Sequence, residues 1–105
     1  MARTPIHPGE ILSDELKEIR LPAKKLAGIL GVPPNRLYQI LAGKRSLTAD
    51  TALRLSRYFG TSPDFWMNLQ SAYELDVARR QMAGAIQRIP RRSGTPVEAR
   101  PRAEA

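Results

Sequence analysis

The sequence has no cysteine and a single histidine, His7. A chain without thiols forms no disulfide framework, offers no thiol nucleophile and builds no zinc knuckle. One imidazole leaves little scope for metal ligation or proton relays. Aromatic residues are 6% of 105 positions, so composition permits one modest core. No stretch approaches the roughly 18–20 apolar residues of a membrane span. The first ten residues hold Arg3, His7 and Glu10 without an apolar run and do not read as a secretory signal. No phosphate-cradling glycine loop, Ser–His–Asp spacing or paired carboxylate in an apolar setting occurs. These absences lead us to expect a cytoplasmic protein that is not an enzyme and carries no metal or cofactor.

What the chain does have is positive charge. Lys and Arg number 17 against 10 Asp and Glu, a formal net charge of +7. Residues 1–20 and 58–87 each carry a net charge of −1, the tail 88–105 carries +3, and residues 21–57 carry +6 with Asp50 as their sole acid. A basic block inside a folded region points to a polyanionic partner, with a merely solvated surface as the alternative.

Apolar spacing is helical almost throughout, and prolines and glycines punctuate it. Ile11, Leu12, Leu16 and Ile19 share a face behind Pro8, predicting a helix over 8–19. A second helix spans 22–30 and stops at Gly31, which reaches a positive φ without a Cβ penalty. The third begins at Pro34, since the second of two prolines can open a helix, and runs to Ala42 before Gly43. Thr48 offers a cap oxygen to a fourth helix ending at Gly60. Ser62-Pro63-Asp64 then starts a fifth that reaches Gln81 or beyond. No room is left for strands. The expectation is an all-α, five-helix domain over 1–87, followed by a basic tail, 88–105, that is disordered from about Pro90.

Two short helices around a glycine turn, 22–30 and 34–42, are a helix-turn-helix arrangement, with an ordinary αα-hairpin as the alternative. Ala27 permits close approach, Gly31 makes the turn, Val32 fills the angle beneath it, and Leu37 and Ile40 lock the second helix inward. In this motif the leading end of the second helix reaches base edges. Its outward positions here are Pro34, Asn35, Arg36, Tyr38 and Gln39. Arg grips guanine O6 and N7, and Asn or Gln pairs with adenine, so Pro34, Asn35, Arg36 and Gln39 are the expected base contacts. Lys24, Lys25, Lys44 and Arg45 flank that helix and are the expected phosphate contacts. Tyr38 joins them through its hydroxyl, or else packs. Arg54 and Arg57 are solvated, locally paired or on DNA. Trp66 and Leu69 read as core. Beyond them, Tyr73, Val77, Arg80 and Met82 mark a distal surface expected to pair two subunits, setting recognition helices one DNA turn apart. His7 reads as a cap at a helix start. Asp14, Glu15 and Glu18 form a solvated acidic face or a dock for a basic protein.

The run Leu26-Ala27-Gly28-Ile29-Leu30-Gly31-Val32, continued by Arg36-Leu37-Tyr38-Gln39-Ile40-Leu41-Ala42-Gly43-Lys44-Arg45-Ser46-Leu47-Thr48, resembles the Xre/Cro-like helix-turn-helix family. With His7-Pro8-Gly9-Glu10-Ile11-Leu12 ahead of it and Trp66-Met67-Asn68-Leu69-Gln70 after it, the chain is similar to the HigA branch of bacterial antitoxins over about residues 7–80. The resemblance implies a five-helix bundle of the λ-repressor-like type. It also implies that the protein neutralises a HigB-type, mRNA-cleaving toxin and represses its own operon by binding double-stranded operator DNA as a homodimer. Pro22-Ala23 and Pro33-Pro34 depart from the polar starts usual in the family, which removes two side-chain contacts to DNA. A stand-alone Xre-type repressor without a toxin partner is the alternative. A protein-interaction module that keeps the fold without operator binding is another.

Overall fold

The computed structural model describes residues 4–101. Met1 to Arg3 and the end of the basic tail, Arg102 to Ala105, lie outside the described residues. The elements are α1 (Pro8–Glu18), α2 (Ala23–Leu30), α3 (Pro34–Leu41), α4 (Ala49–Phe59) and α5 (Pro63–Gln87), then a 3₁₀ turn, Val97–Ala99. Among the described residues there is no strand, as the spacing predicts. The tail from Arg88 to Pro101 is wholly exposed, and that 3₁₀ turn is its one helical element.

Proline supplies the first position of α1, α3 and α5, where a missing N–H leaves no orphan donor. Gly31 and Gly60 end α2 and α4 in the left-handed conformation, with φ of 73° and 77°. Ser62 caps α5 by accepting from the Phe65 N–H at 3.1 Å. Thr48 does stand before α4, but its hydroxyl makes no cap bond, so the oxygen expected there is not used. Its backbone carbonyl still accepts the Ala52 N–H at 2.8 Å.

The core is a single cluster. Leu12 and Leu16 of α1 meet Leu26, Ala27 and Leu30 of α2, Leu37 and Ile40 of α3, Leu47 from the α3–α4 loop, Leu55 of α4 and Trp66 of α5. All of these are buried, and burying one such aliphatic side chain contributes about 1.5–3 kcal/mol. Within the core, α1 packs on α3 and α5, α2 on α3 and α4, and α4 on α5.

The tightest joint is at the start of α1. The Gly9 N–H donates to His7 Nδ1 at 2.9 Å, and the His7 N–H donates to the Glu10 carboxylate at 3.0 Å, a reciprocal cap. Burial pushes the His7 imidazole below its ordinary pKa, partly opposed by a backbone hydrogen bond with Arg45 and the Glu10 charge, so the neutral ring is favoured as acceptor. Gly9 lies against the backbone carbonyl of Ile40 in α3, and any Cβ at this position would collide with it. At Gly28, on the exposed side of α2, an added methyl would meet open space.

Two glycine substitutions should therefore diverge. Gly9→Ala is expected to cost about 3 kcal/mol or more, because α1 must back away from α3. Gly28→Ala should stabilise by about 0.4–1 kcal/mol through the unfolded chain and helix propensity. Urea unfolding of the two variants beside the parent checks both signs.

Candidate nucleic-acid interface

The helix-turn-helix is α2 and α3. Ala27 is fully buried at their crossing, Gly31 turns the chain, and Val32 seals the angle with its N–H bonded to the Ala27 carbonyl at 3.0 Å. Leu37 and Ile40 are fully buried, which fixes the rotation of α3 about its axis. The opposite side of its leading end is thereby turned outward. Pro34, Asn35 and Tyr38 are exposed, and Arg36 and Gln39 are partly so. Tyr38 is 47% exposed, so its ring is about half covered and half at the surface. Lys24 and Lys25 stand exposed in the first turn of α2, and Lys44 and Arg45 in the loop after α3. All nine expected contacts thus stand at the surface of the helix-turn-helix and its following loop.

Neither α2 nor α3 has a side-chain cap. Pro22 and Pro33 occupy the cap positions in extended conformation and contribute no side-chain hydrogen bond. The first amides of both helices are left to outside acceptors, apart from Arg36, whose N–H returns to the Pro33 carbonyl at 3.1 Å.

The α3–α4 loop is held from two sides. Gly43 takes a φ of 72°, and the Lys44 N–H closes on the Gln39 carbonyl at 2.9 Å. From α5, the buried side chain of Gln70 accepts the Leu47 N–H at 2.8 Å and donates to Glu74 at 3.2 Å. Gln70 is a positioning residue for Lys44 and Arg45 that sequence reasoning missed, because a polar side chain on a helix gives no sign of burial. The Arg45 guanidinium donates to Gln39 Oε1 at 3.2 Å, fixing which way that amide points.

Acidic side chains near this face are few. Asp50, in the first turn of α4, accepts from Arg54 at 2.6 Å and from Arg36 at 3.5 Å. The Arg54 side chain also donates to the Leu30 carbonyl at 2.8 Å. Arg54 is accordingly a local pairing residue that staples α4 to the turn, and its guanidinium holds the Asp50 carboxyl below the usual carboxylate range. Arg57 is exposed.

The helix-turn-helix family matches residues 14–66 of the chain. Virulence-associated protein I of Dichelobacter nodosus is 51% identical over 76 residues, 71% of this chain and 70% of that protein. An addiction module antidote protein of the HigA family from Coxiella burnetii superposes with a TM-score of 0.83 at 47% identity, over 87% of this chain and all of that one. The chain belongs to the HigA branch of the Xre-like helix-turn-helix family. A second HigA-family structure, the Pseudomonas aeruginosa antitoxin HigA with higBA promoter, has a TM-score of 0.79 at 45% identity, covering 82% of this chain and 96% of that one.

In this HigA-family chain α5 carries two apolar stripes. At about 100° per residue, Trp66, Gln70, Tyr73 and Val77 share one side. That side faces the domain. Trp66 is buried with its indole N–H on Thr61 at 2.8 Å, and Tyr73 sits edge-on to the His7 ring at 4.8 Å between centroids. Leu75, Met82 and Ile86 lie on the opposite side, each about half exposed at 52%, 48% and 52%. Of the four residues expected to pair subunits, Tyr73, Val77 and Arg80 lie on one side of α5 and Met82 on the other. Tyr73 and Val77 are partly buried, Met82 is about half exposed on the outward side, and Arg80, exposed, pairs with Asp76 at 3.1 Å. Reading one stripe along α5 missed the second. Among the described residues no helix is long and apolar enough to cross a membrane.

Proposed function

We propose that this protein is an antitoxin that represses its own operon by sequence-specific DNA binding and neutralises a HigB-like toxin. The observation that carries the DNA half is the outward arc of Asn35, Arg36 and Gln39 at the leading end of α3, flanked by Lys24, Lys25, Lys44 and Arg45. The Pseudomonas aeruginosa relative held with promoter DNA supports it. In this reading α3 enters the major groove, Arg36 takes guanine, and Asn35 and Gln39 take adenine, with Pro34 packed against a base edge. The flanking cations and Tyr38 take phosphates, and so do the uncapped amides of α2, whose helix dipole favours an anion.

The toxin half rests on charge. Asp14, Glu15 and Glu18 stand exposed on α1, outside the basic block, and suit a cationic ribonuclease. Pairing of two copies completes the operator reader, and the outward stripe of α5 is the surface for it.

Arg36→Ala should cost about 1–3 kcal/mol on the operator and relax discrimination at one base pair. Lys44→Ala should weaken all sequences alike and flatten the salt dependence by about one phosphate's worth. Fluorescence anisotropy on duplexes tiling the chain's own promoter separates the two, and unaltered sequence preference in Arg36→Ala would refute the base-reading assignment. Met82→Glu should give a monomer in sedimentation at micromolar concentration, whereas Tyr73→Glu should disturb folding first. Co-expression with the product of the adjacent reading frame tests the toxin half. Growth rescue and co-purification are expected, both lost in Glu15→Lys/Glu18→Lys while DNA binding persists. Absence of any such partner favours the stand-alone repressor.

A further inference from the structure

Asp50 is the one acidic residue between positions 21 and 57, and it stands beside the face that approaches DNA. Oδ1 of its carboxylate is shared by two arginines, Arg54 Nε at 2.6 Å and Arg36 Nη1 at 3.5 Å. Arg54 is anchored in turn, its Nη1 donating to the Leu30 carbonyl at 2.8 Å. One carboxylate thus ties the leading end of α3 to the helix-turn-helix turn through α4. Asp50 suits the positive end of α4, and exposed ion pairs add little to stability, so its structural contribution is small. Its cost on a polyanion is plain, because Asp50 repels the phosphates that its neighbours attract.

We propose that Asp50 is a specificity-determining residue that acts through Arg36. The proposal rests on Arg36 as a base reader. The Arg36 side chain is 27% exposed and directed toward Asp50, rather than swept out among the free cations. To grip a backbone phosphate on arbitrary DNA, Arg36 must leave Asp50, whose carboxylate is already 54% exposed and then faces the duplex with Arg54 as its one remaining counter-charge. Guanine returns a bidentate acceptor pair for the same loss, and phosphate contacts elsewhere do not. Asp50 therefore weakens arbitrary sequences more than the operator, in the way a repulsive group buys discrimination. A neighbouring cation in its place would bind DNA more tightly and read it less well.

Asp50→Asn keeps the shape and removes the charge. On a scrambled duplex its affinity should rise about tenfold, with the salt dependence steeper by about one phosphate contact. Affinity for a duplex of the chain's own promoter should change less than about threefold, so the ratio between the two falls several-fold. Asp50→Glu should restore most of the ratio. In an Arg36→Ala background, Asp50→Asn should leave the ratio where Arg36→Ala put it, because the two act as one unit. If Asp50→Asn keeps the parental ratio while Arg36→Ala collapses it, the inference fails and the base-reading assignment stands. If Arg36→Ala keeps the ratio, that assignment fails and the role of Asp50 falls with it. Equal weakening on both duplexes would mark Asp50 as merely structural and overturn the proposal.

Discussion

The contact between the start of α1 and the backbone of α3 is the constraint on which the rest of the molecule depends. A helix can lie against the Ile40 carbonyl only where it presents no side chain, and Gly9 supplies that position. The neighbours of Gly9 serve the same contact. His7 caps the helix end, Pro8 is buried without an orphan amide, and Glu10 closes the cap from the other side. The four residues are one device for setting α1 down on α3. Because Leu37 and Ile40 are fixed beneath it, the outward arc of α3 is fixed as well. The same His7 ring touches Tyr73 of α5 and lies near Gly43 in the loop that carries Lys44 and Arg45. A motif far from the recognition helix in sequence thus governs how that helix is presented.

Much of this is legible in the sequence. Proline and glycine punctuate every helix, so all five could be located, and the buried set Leu26, Leu37, Ile40 and Leu55 follows from spacing. The outward arc of α3 was legible for the same reason, since burying Leu37 and Ile40 dictates which residues remain outside. Long-range polar contacts were not. The Gln70–Leu47 bond joins residues 23 apart, and the Arg54–Leu30 bond joins residues 24 apart, with no local pattern announcing either. Thr48 misled for the opposite reason. A hydroxyl at the right position is a statistical cap, but here its oxygen is not recruited.

The prolines that open α2 and α3 trade one kind of order for another. Serine or threonine at those positions would satisfy an amide from within the protein. Pro22 and Pro33 instead fix φ near −64° and −60° and leave the following amides for outside acceptors. The entry angle of each helix is set by a ring rather than by a hydrogen bond. The same choice places α3 at the surface with its end uncovered, which suits an element that must approach a second molecule closely.

The paired stripes of α5 have a consequence for how that helix is seated. Taken over all 25 residues, α5 carries apolar side chains on both sides, inward over 66–77 and outward over 75–86, so hydrophobicity summed along the helix is a poor guide to its rotational phase. Directional bonds break the tie. The indole N–H of Trp66 reaches Thr61, and the Gln70 amide reaches the Leu47 backbone, and neither survives a rotation of the rod. The few polar atoms buried along α5 act as keys in a lock whose tumblers are otherwise symmetric, adding uniqueness where apolar packing adds only adhesion.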